Sequence, residues 1–171
     1  MRQTKPWWFP FFAALLLGVL LHFLYGWVPT SLTALISPVR ESLWEHVKIL
    51  FWPLLLAGLW ITGSHKGGLT PWLAANLTVN ALMLLLGYLW NVTFQLDGSV
   101  FNIALYVVMV ILAFLLVPVY QKSLETKLTL PIWLVTLGLV MALVCFTFSP
   151  PNGVLFADLS GEVRTFFTIP V

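Results

Sequence analysis

The fold is decided by residues 37–48, SPVRESLWEHVK, which run directly into residues 49–56, ILFWPLLL. The first stretch holds two acidic and two basic side chains and a histidine, whereas the second is apolar enough for the interior of a bilayer. A charged side chain at the centre of a membrane helix costs about 2.5–3.5 kcal/mol on insertion scales. Charges at this place therefore mark either a functional site or a structural ion pair.

The composition of the whole chain is also typical of a membrane protein. Sixty per cent of the 171 residues are hydrophobic, 8% are charged, and the mean hydropathy is +0.98. Soluble domains carry about 25% charged residues, so this chain lacks a water-compatible surface. A net charge of +2 gives no support for a nucleic-acid partner. The predicted partners are the lipid bilayer and a second membrane protein.

Five apolar runs predict an all-α, polytopic bundle of five transmembrane helices, since each run approaches the roughly 20 residues that a span needs. The first run contains bulky Trp and Phe residues and is too long for a signal-peptide core, so we interpret it as a span. Ser37 is the predicted N-cap of the second span, with Pro38 at its first position. The predicted spans are residues 8–27, 39–62, 71–91, 99–119 and 131–148.

Basic residues predict the orientation, because cytoplasmic loops are enriched in Lys and Arg. With the N-terminus in the cytoplasm of a bacterium, the inner segments hold Arg2, Lys5, Lys66, Lys122 and Lys127, and the outer segments hold only Arg40 and Arg164. We therefore expect a transmembrane domain of residues 1–148 in the cytoplasmic membrane. Residues 149–171 are expected to form an outward-facing tail that packs on the bundle, because it contains apolar Leu155, Phe156, Phe166, Phe167 and Ile169.

In this topology most acidic groups gather at the outer side. Glu41, Glu45 and Lys48 have the spacing of one helix face, and we expect Lys48 to bond to a carboxylate because lipid exposure would be too costly. Asp97 and Glu162 are expected on the same side, whereas His65 lies in an inner loop. The candidate polar site consists of His22, Glu41, Ser42, Glu45, His46, Lys48 and Asp158.

Carboxylate and imidazole groups together suit a divalent cation or general acid–base chemistry. Glu41, Glu45 or His46 with His22 and Asp158 are candidate metal ligands, although they can meet only through tertiary contacts. A haem between His22 and His46 is a further alternative. The competing interpretation is a neutralised ion-pair network that holds the first two spans together.

The third span carries a second polar pattern. Asn76 and Asn80 are four residues apart, and Asn91 continues roughly the same stripe, which Asn102 of the fourth span extends. Asparagine in a membrane helix usually hydrogen-bonds to another helix. The alternative is a polar stripe that lines a solute path.

The segments HFLYGW (22–27) and SPVRESLWEHVK (37–48) resemble a family of small bacterial membrane proteins of unknown function. That family shows a Pro-Val-Asn-Glu-Ser-x-Trp-Glu-His-x-Lys pattern and a late Pro-Pro segment before Leu-Phe-x-Asp, here Pro150, Pro151 and residues 155–158. This chain departs at Arg40, where the pattern has asparagine. The resemblance implies a fold and candidate positions, but no activity.

Three classes of function follow from these observations. The first is a non-catalytic protein whose outward-facing Glu/His/Lys site binds a small solute, a lipid or a membrane partner. The second is a membrane-embedded enzyme, with or without a metal ion, that acts on a lipid or envelope substrate. The third is a small transporter, which is disfavoured because the ionisable groups lie at one end of the spans.

Overall fold

A computed structural model of the chain describes residues 7–63, 68–96 and 99–159. This part of the chain contains helices and no strands. Arg2, Lys5, His65, Lys66, Asp97, Glu162, Arg164 and the apolar residues at 166–169 lie outside it. The described residues form six α-helices, which are α1 (Trp8–Trp27), α2 (Ser31–Ile36), α3 (Leu43–Thr62), α4 (Thr70–Tyr88), α5 (Ser99–Ser123) and α6 (Thr129–Phe148).

Five of the helical segments are long and apolar enough to cross a membrane, as the sequence predicts. They comprise α1, α3, α4 with the π-helical turn Leu89–Thr93, α5, and α6 with the 3-10 turn Thr126–Leu128 that precedes it. A further 3-10 turn, Val154–Phe156, follows α6. The bounds of α1 agree with the prediction. The helix α5 extends beyond its predicted end at residue 119 to Ser123, because the polar residues that follow the apolar run continue the helix.

The start of the second span differs from the prediction. α3 begins at Leu43 instead of residue 39, and its N-cap is Ser42, whose Oγ accepts a hydrogen bond from the Glu45 amide at 3.3 Å. Ser37 instead follows α2, in an extended conformation that the next residue, Pro38, favours. Glu41 therefore lies ahead of the helix, and the predicted shared helix face holds only for Glu45 and Lys48.

α3 lies at the centre of the bundle, between α1 and α4, and its Val47, Leu50 and Phe51 are fully buried. Tyr106 of α5 reaches across to α1 and donates to the carbonyl oxygen of Ala14 at 3.0 Å. This contact depends on Gly18, because a Cβ there would lie 2.0 Å from the Tyr106 hydroxyl and 2.7 Å from the carbonyl oxygen of Ile49.

The outer helices present their apolar side chains outward. α6 exposes Leu130, Leu134, Leu137 and Met141, while its buried polar side chains include Thr136 and Thr147. Thr136 and Thr147 donate to carbonyl oxygens of their own helix. An apolar exterior of this kind fits contact with lipid chains.

Candidate functional site

The charges of α3 form one buried ion pair. Nζ of Lys48 lies 2.6 Å from Oε2 of Glu45, and the two residues are 0% and 2% exposed. The ammonium also donates to the carbonyl oxygens of Ala34 at 2.8 Å and Ser37 at 3.3 Å. An ammonium group has three protons, so all three are used. The expected bond between Lys48 and a carboxylate is present.

This ion pair holds α2 and the segment that follows it against α3. Ala34 lies in the last turn of α2, where carbonyl groups have no partner within the helix. Lys48 donates to the carbonyl oxygen of Ala34, and the indole N–H of Trp52 donates to the carbonyl oxygen of Leu35 at 3.3 Å. Glu45 in turn accepts from the Val39 amide at 2.9 Å. Buried backbone groups outside a regular helix need such partners, so this pair has a structural explanation.

A second, more accessible cluster consists of His22, Glu41 and His46. Nε2 of His46 lies 3.3 Å from one carboxylate oxygen of Glu41, and Nε2 of His22 lies 4.0 Å from the other. One ligand atom from each of the three residues lies within 4.8 Å of the other two. Their side chains are 26–34% exposed. The three groups therefore converge at a place that water reaches.

Three chain segments position this cluster. His22 lies on α1, next to Leu21, whose carbonyl oxygen accepts from the Ser37 hydroxyl. Glu41 lies in the bend before α3, and its carbonyl oxygen accepts from the amide of Leu159 at 2.8 Å. His46 lies in the first turns of α3. The cluster is therefore held by α1, by the start of α3 and, through the Leu159 amide, by the segment after α6.

The hydrogen bonds of His46 define its tautomer. Its Nδ1 lies 2.7 Å from the carbonyl oxygen of Ser42, and since a carbonyl oxygen can only accept, Nδ1 carries a proton. In a neutral imidazole, Nε2 then carries a lone pair, and this lone pair faces the Glu41 carboxylate. The arrangement is favourable only when a proton or another cation lies at Nε2.

The seven candidate residues thus separate into groups. Ser42 is buried and serves as the N-cap, while Glu45 and Lys48 form the internal pair. Asp158 lies beside Leu159 in the segment after Val154–Phe156, and it is not one of the three residues that converge. A haem does not fit between His22 and His46, because the Glu41 carboxylate contacts both imidazoles.

The asparagines form two separate contacts instead of one stripe. Asn80 donates to the side-chain oxygen of Asn76 at 2.7 Å, and Asn76 donates to the carbonyl oxygen of Phe51 on α3 at 3.0 Å. Asn91 lies in the π-helical turn and donates to Asn102 at 3.3 Å. Asn76 and Asn80 are each 2% exposed. These contacts favour helix packing.

The segment after α6 has aromatic partners that the sequence does not identify. Phe156 packs against Trp44 of α3 and Phe146 of α6, with ring centroids 5.4 Å away in each case. Together with the Leu159 amide, it attaches this segment beside Glu41. Leu155 and Phe156 are among the apolar residues from which the sequence predicts a packed tail, but nothing in the sequence points to Trp44 and Phe146 as the partners.

Comparison with known proteins supplies a family and no activity. No curated protein and no solved structure has significant similarity to this chain. The model of a family of unknown function, DUF6512, matches residues 1–163. Since this match covers nearly the whole sequence, the chain belongs to the DUF6512 family.

Proposed function

We propose that this chain is a multi-pass protein of the bacterial cytoplasmic membrane that binds a cationic ligand at His22, Glu41 and His46. The N-terminus is cytoplasmic, and the ligand enters from the outer aqueous side. The observation that carries the proposal is the 3.3 Å approach of the His46 Nε2 to the Glu41 carboxylate, with the other ring nitrogen engaged by Ser42.

Charge supports a cation as the ligand. Two imidazole nitrogens and one carboxylate, groups that commonly bind divalent cations, lie together in the same small volume. The Glu41 carboxylate supplies negative charge to this group. The carboxylate attracts a cation and repels an anion, and the site therefore favours cations over anions.

Depth and exposure support access from water. His22 lies five residues before the last residue of α1, and His46 is the fourth residue of α3. At 1.5 Å per residue, both lie within about 8 Å of a helix end, which is near the head groups of a bilayer. Glu41 lies outside the helix altogether. The pair of Glu45 and Lys48, in contrast, is buried inside the bundle.

Binding fits the geometry better than transport does. A transporter needs polar side chains that continue through the bilayer centre. At that depth Asn76 and Asn80 are engaged with each other and with the backbone of α3. In the described segments the charged side chains and histidines lie near helix ends, with one group around Glu41 and Glu45 and with Lys122, Glu125 and Lys127 at the opposite end. A site at the membrane surface is therefore favoured.

Cysteine labelling in intact cells tests the access route. In a Cys145→Ser background, a membrane-impermeant maleimide should label Glu41→Cys without permeabilisation. The matched control, Lys66→Cys, should react only after the membrane is opened. Labelling of Lys66→Cys alone in intact cells would contradict the outward-facing site.

A further inference from the structure

The ligand atoms of the three-residue cluster are almost as close together as those of a metal centre. At bond lengths of about 2.0–2.2 Å, neighbouring ligand atoms around a metal ion lie roughly 3–4 Å apart. One oxygen of the Glu41 carboxylate lies 3.3 Å from His46 Nε2 and the other lies 4.0 Å from His22 Nε2, and one ligand atom from each of the three residues lies within 4.8 Å of the other two. Only small side-chain adjustments separate this arrangement from one that coordinates an ion.

His46 already makes the outer contact typical of a metal ligand. Histidines that bind a metal through one ring nitrogen usually donate from the other to a carboxylate or a backbone carbonyl, which fixes the ring and its tautomer. The 2.7 Å contact from Nδ1 to the Ser42 carbonyl is such a bond. Because Ser42 also caps α3, the ring is attached to a rigid element.

The donor set restricts the metal. Two imidazoles and one carboxylate suit ions such as Zn²⁺, Co²⁺, Ni²⁺ and Fe²⁺, whereas Ca²⁺ and Mg²⁺ prefer oxygen ligands alone. The chain's one cysteine, Cys145, is not part of the cluster, so no thiolate is available to favour softer ions. Three protein ligands leave further positions for water or an exogenous ligand, unlike a closed structural site.

We propose that His22, Glu41 and His46 bind one divalent transition-metal ion at the outer membrane surface, with at least one coordination position open to solvent. This inference rests on the proposed function and specifies its cation. The segment that carries Leu159 holds the Glu41 backbone and thereby brings its carboxylate towards the two histidines.

Metal titration of the purified protein in detergent tests this proposal. The protein should carry a tag without histidines, and Zn²⁺ and Co²⁺ are the probes. Calorimetry should give one Zn²⁺ per chain, and Co²⁺ should develop visible absorption bands. Glu41→Gln, His22→Gln and His46→Gln should each weaken binding at least tenfold, whereas millimolar Mg²⁺ should not compete.

Two control variants separate the site from incidental binding. His65→Gln removes the remaining histidine, and Glu125→Gln removes an exposed carboxylate paired with Lys127. Both should bind Zn²⁺ as the unmodified protein does. Absence of binding by the unmodified protein would overturn the proposal, as would unchanged binding by a monodisperse Glu41→Gln variant.

The outcomes also distinguish this inference from the function on which it rests. If position 41 is labelled from outside but no metal binds, the outward-facing site stands and the metal assignment is wrong. If metal binds in detergent but position 41 is labelled only after permeabilisation, the metal site stands and the proposed sidedness is wrong.

Discussion

Glu41 and Glu45 are four residues apart and have opposite surroundings. The side chain of Glu45 is 3% exposed and bonds to Lys48, whereas that of Glu41 is 34% exposed and faces His22 and His46. Glu41 precedes the N-cap residue Ser42 and Glu45 follows it, so only Glu45 lies on α3. One short segment thus provides a structural carboxylate inside the bundle and an accessible one at its edge.

The buried pair should respond non-additively to substitution. Removing one member leaves an uncompensated buried charge and costs about 3–5 kcal/mol, whereas replacing both is far milder. Lys48→Met alone should therefore destabilise the protein more than Lys48→Met combined with Glu45→Gln. Thermal unfolding in detergent measures this difference. Strictly additive losses would contradict the ion-pair explanation.

Gly18 should be intolerant of a methyl group. In Gly18→Ala the new Cβ would meet the Tyr106 side chain and the Ile49 carbonyl, which is backbone and has little freedom to move. Overpacking of this kind costs about 1–3 kcal/mol. Gly138→Ala is the matched control, since a Cβ there meets nothing within 4 Å. A Gly18→Ala variant as stable as the Gly138→Ala variant would show that α1 packs differently.

The segment after α6 should depend on its aromatic anchor. Phe156→Ala removes ring contacts with Trp44 and Phe146, and such pairs contribute about 0.5–1.5 kcal/mol each beyond area burial. We expect protease added outside the cell to cleave after α6 faster in this variant. Val154→Ala, at a more exposed position of the same turn, should change the rate little. Equal cleavage rates in both variants would exclude this anchoring role.

Much of this architecture follows from the sequence. The apolar runs predict five long helices, and the bounds of α1 agree to the residue. The high cost of an unpaired charge predicts that Lys48 bonds to a carboxylate, and the Glu45 contact agrees. The first prediction rests on the free energy of burying apolar side chains and the second on the cost of an unpaired buried charge. Both quantities are large and depend little on the details of tertiary packing.

The start of α3 could not be predicted in the same way. Ser37 and Ser42 are both suitable N-caps, and Pro38 is acceptable at a first helical position. Tertiary contacts favour Ser42, because Ser37 is bonded to α1 through Leu21 and Tyr25 instead. The division between Glu41 and Glu45 depends on that choice, so the sequence could not predict which carboxylate precedes the helix and which lies on it.

The central claim is that Glu41 serves a ligand while Glu45 serves the fold, and paired unfolding measurements test it most directly. Without added metal, Glu41→Gln should change the free energy of unfolding by less than about 1 kcal/mol, as expected for a partly exposed ion pair. Glu45→Gln should lower it by about 3–5 kcal/mol, because Lys48 loses its buried partner. Equal losses in the two variants would contradict the account.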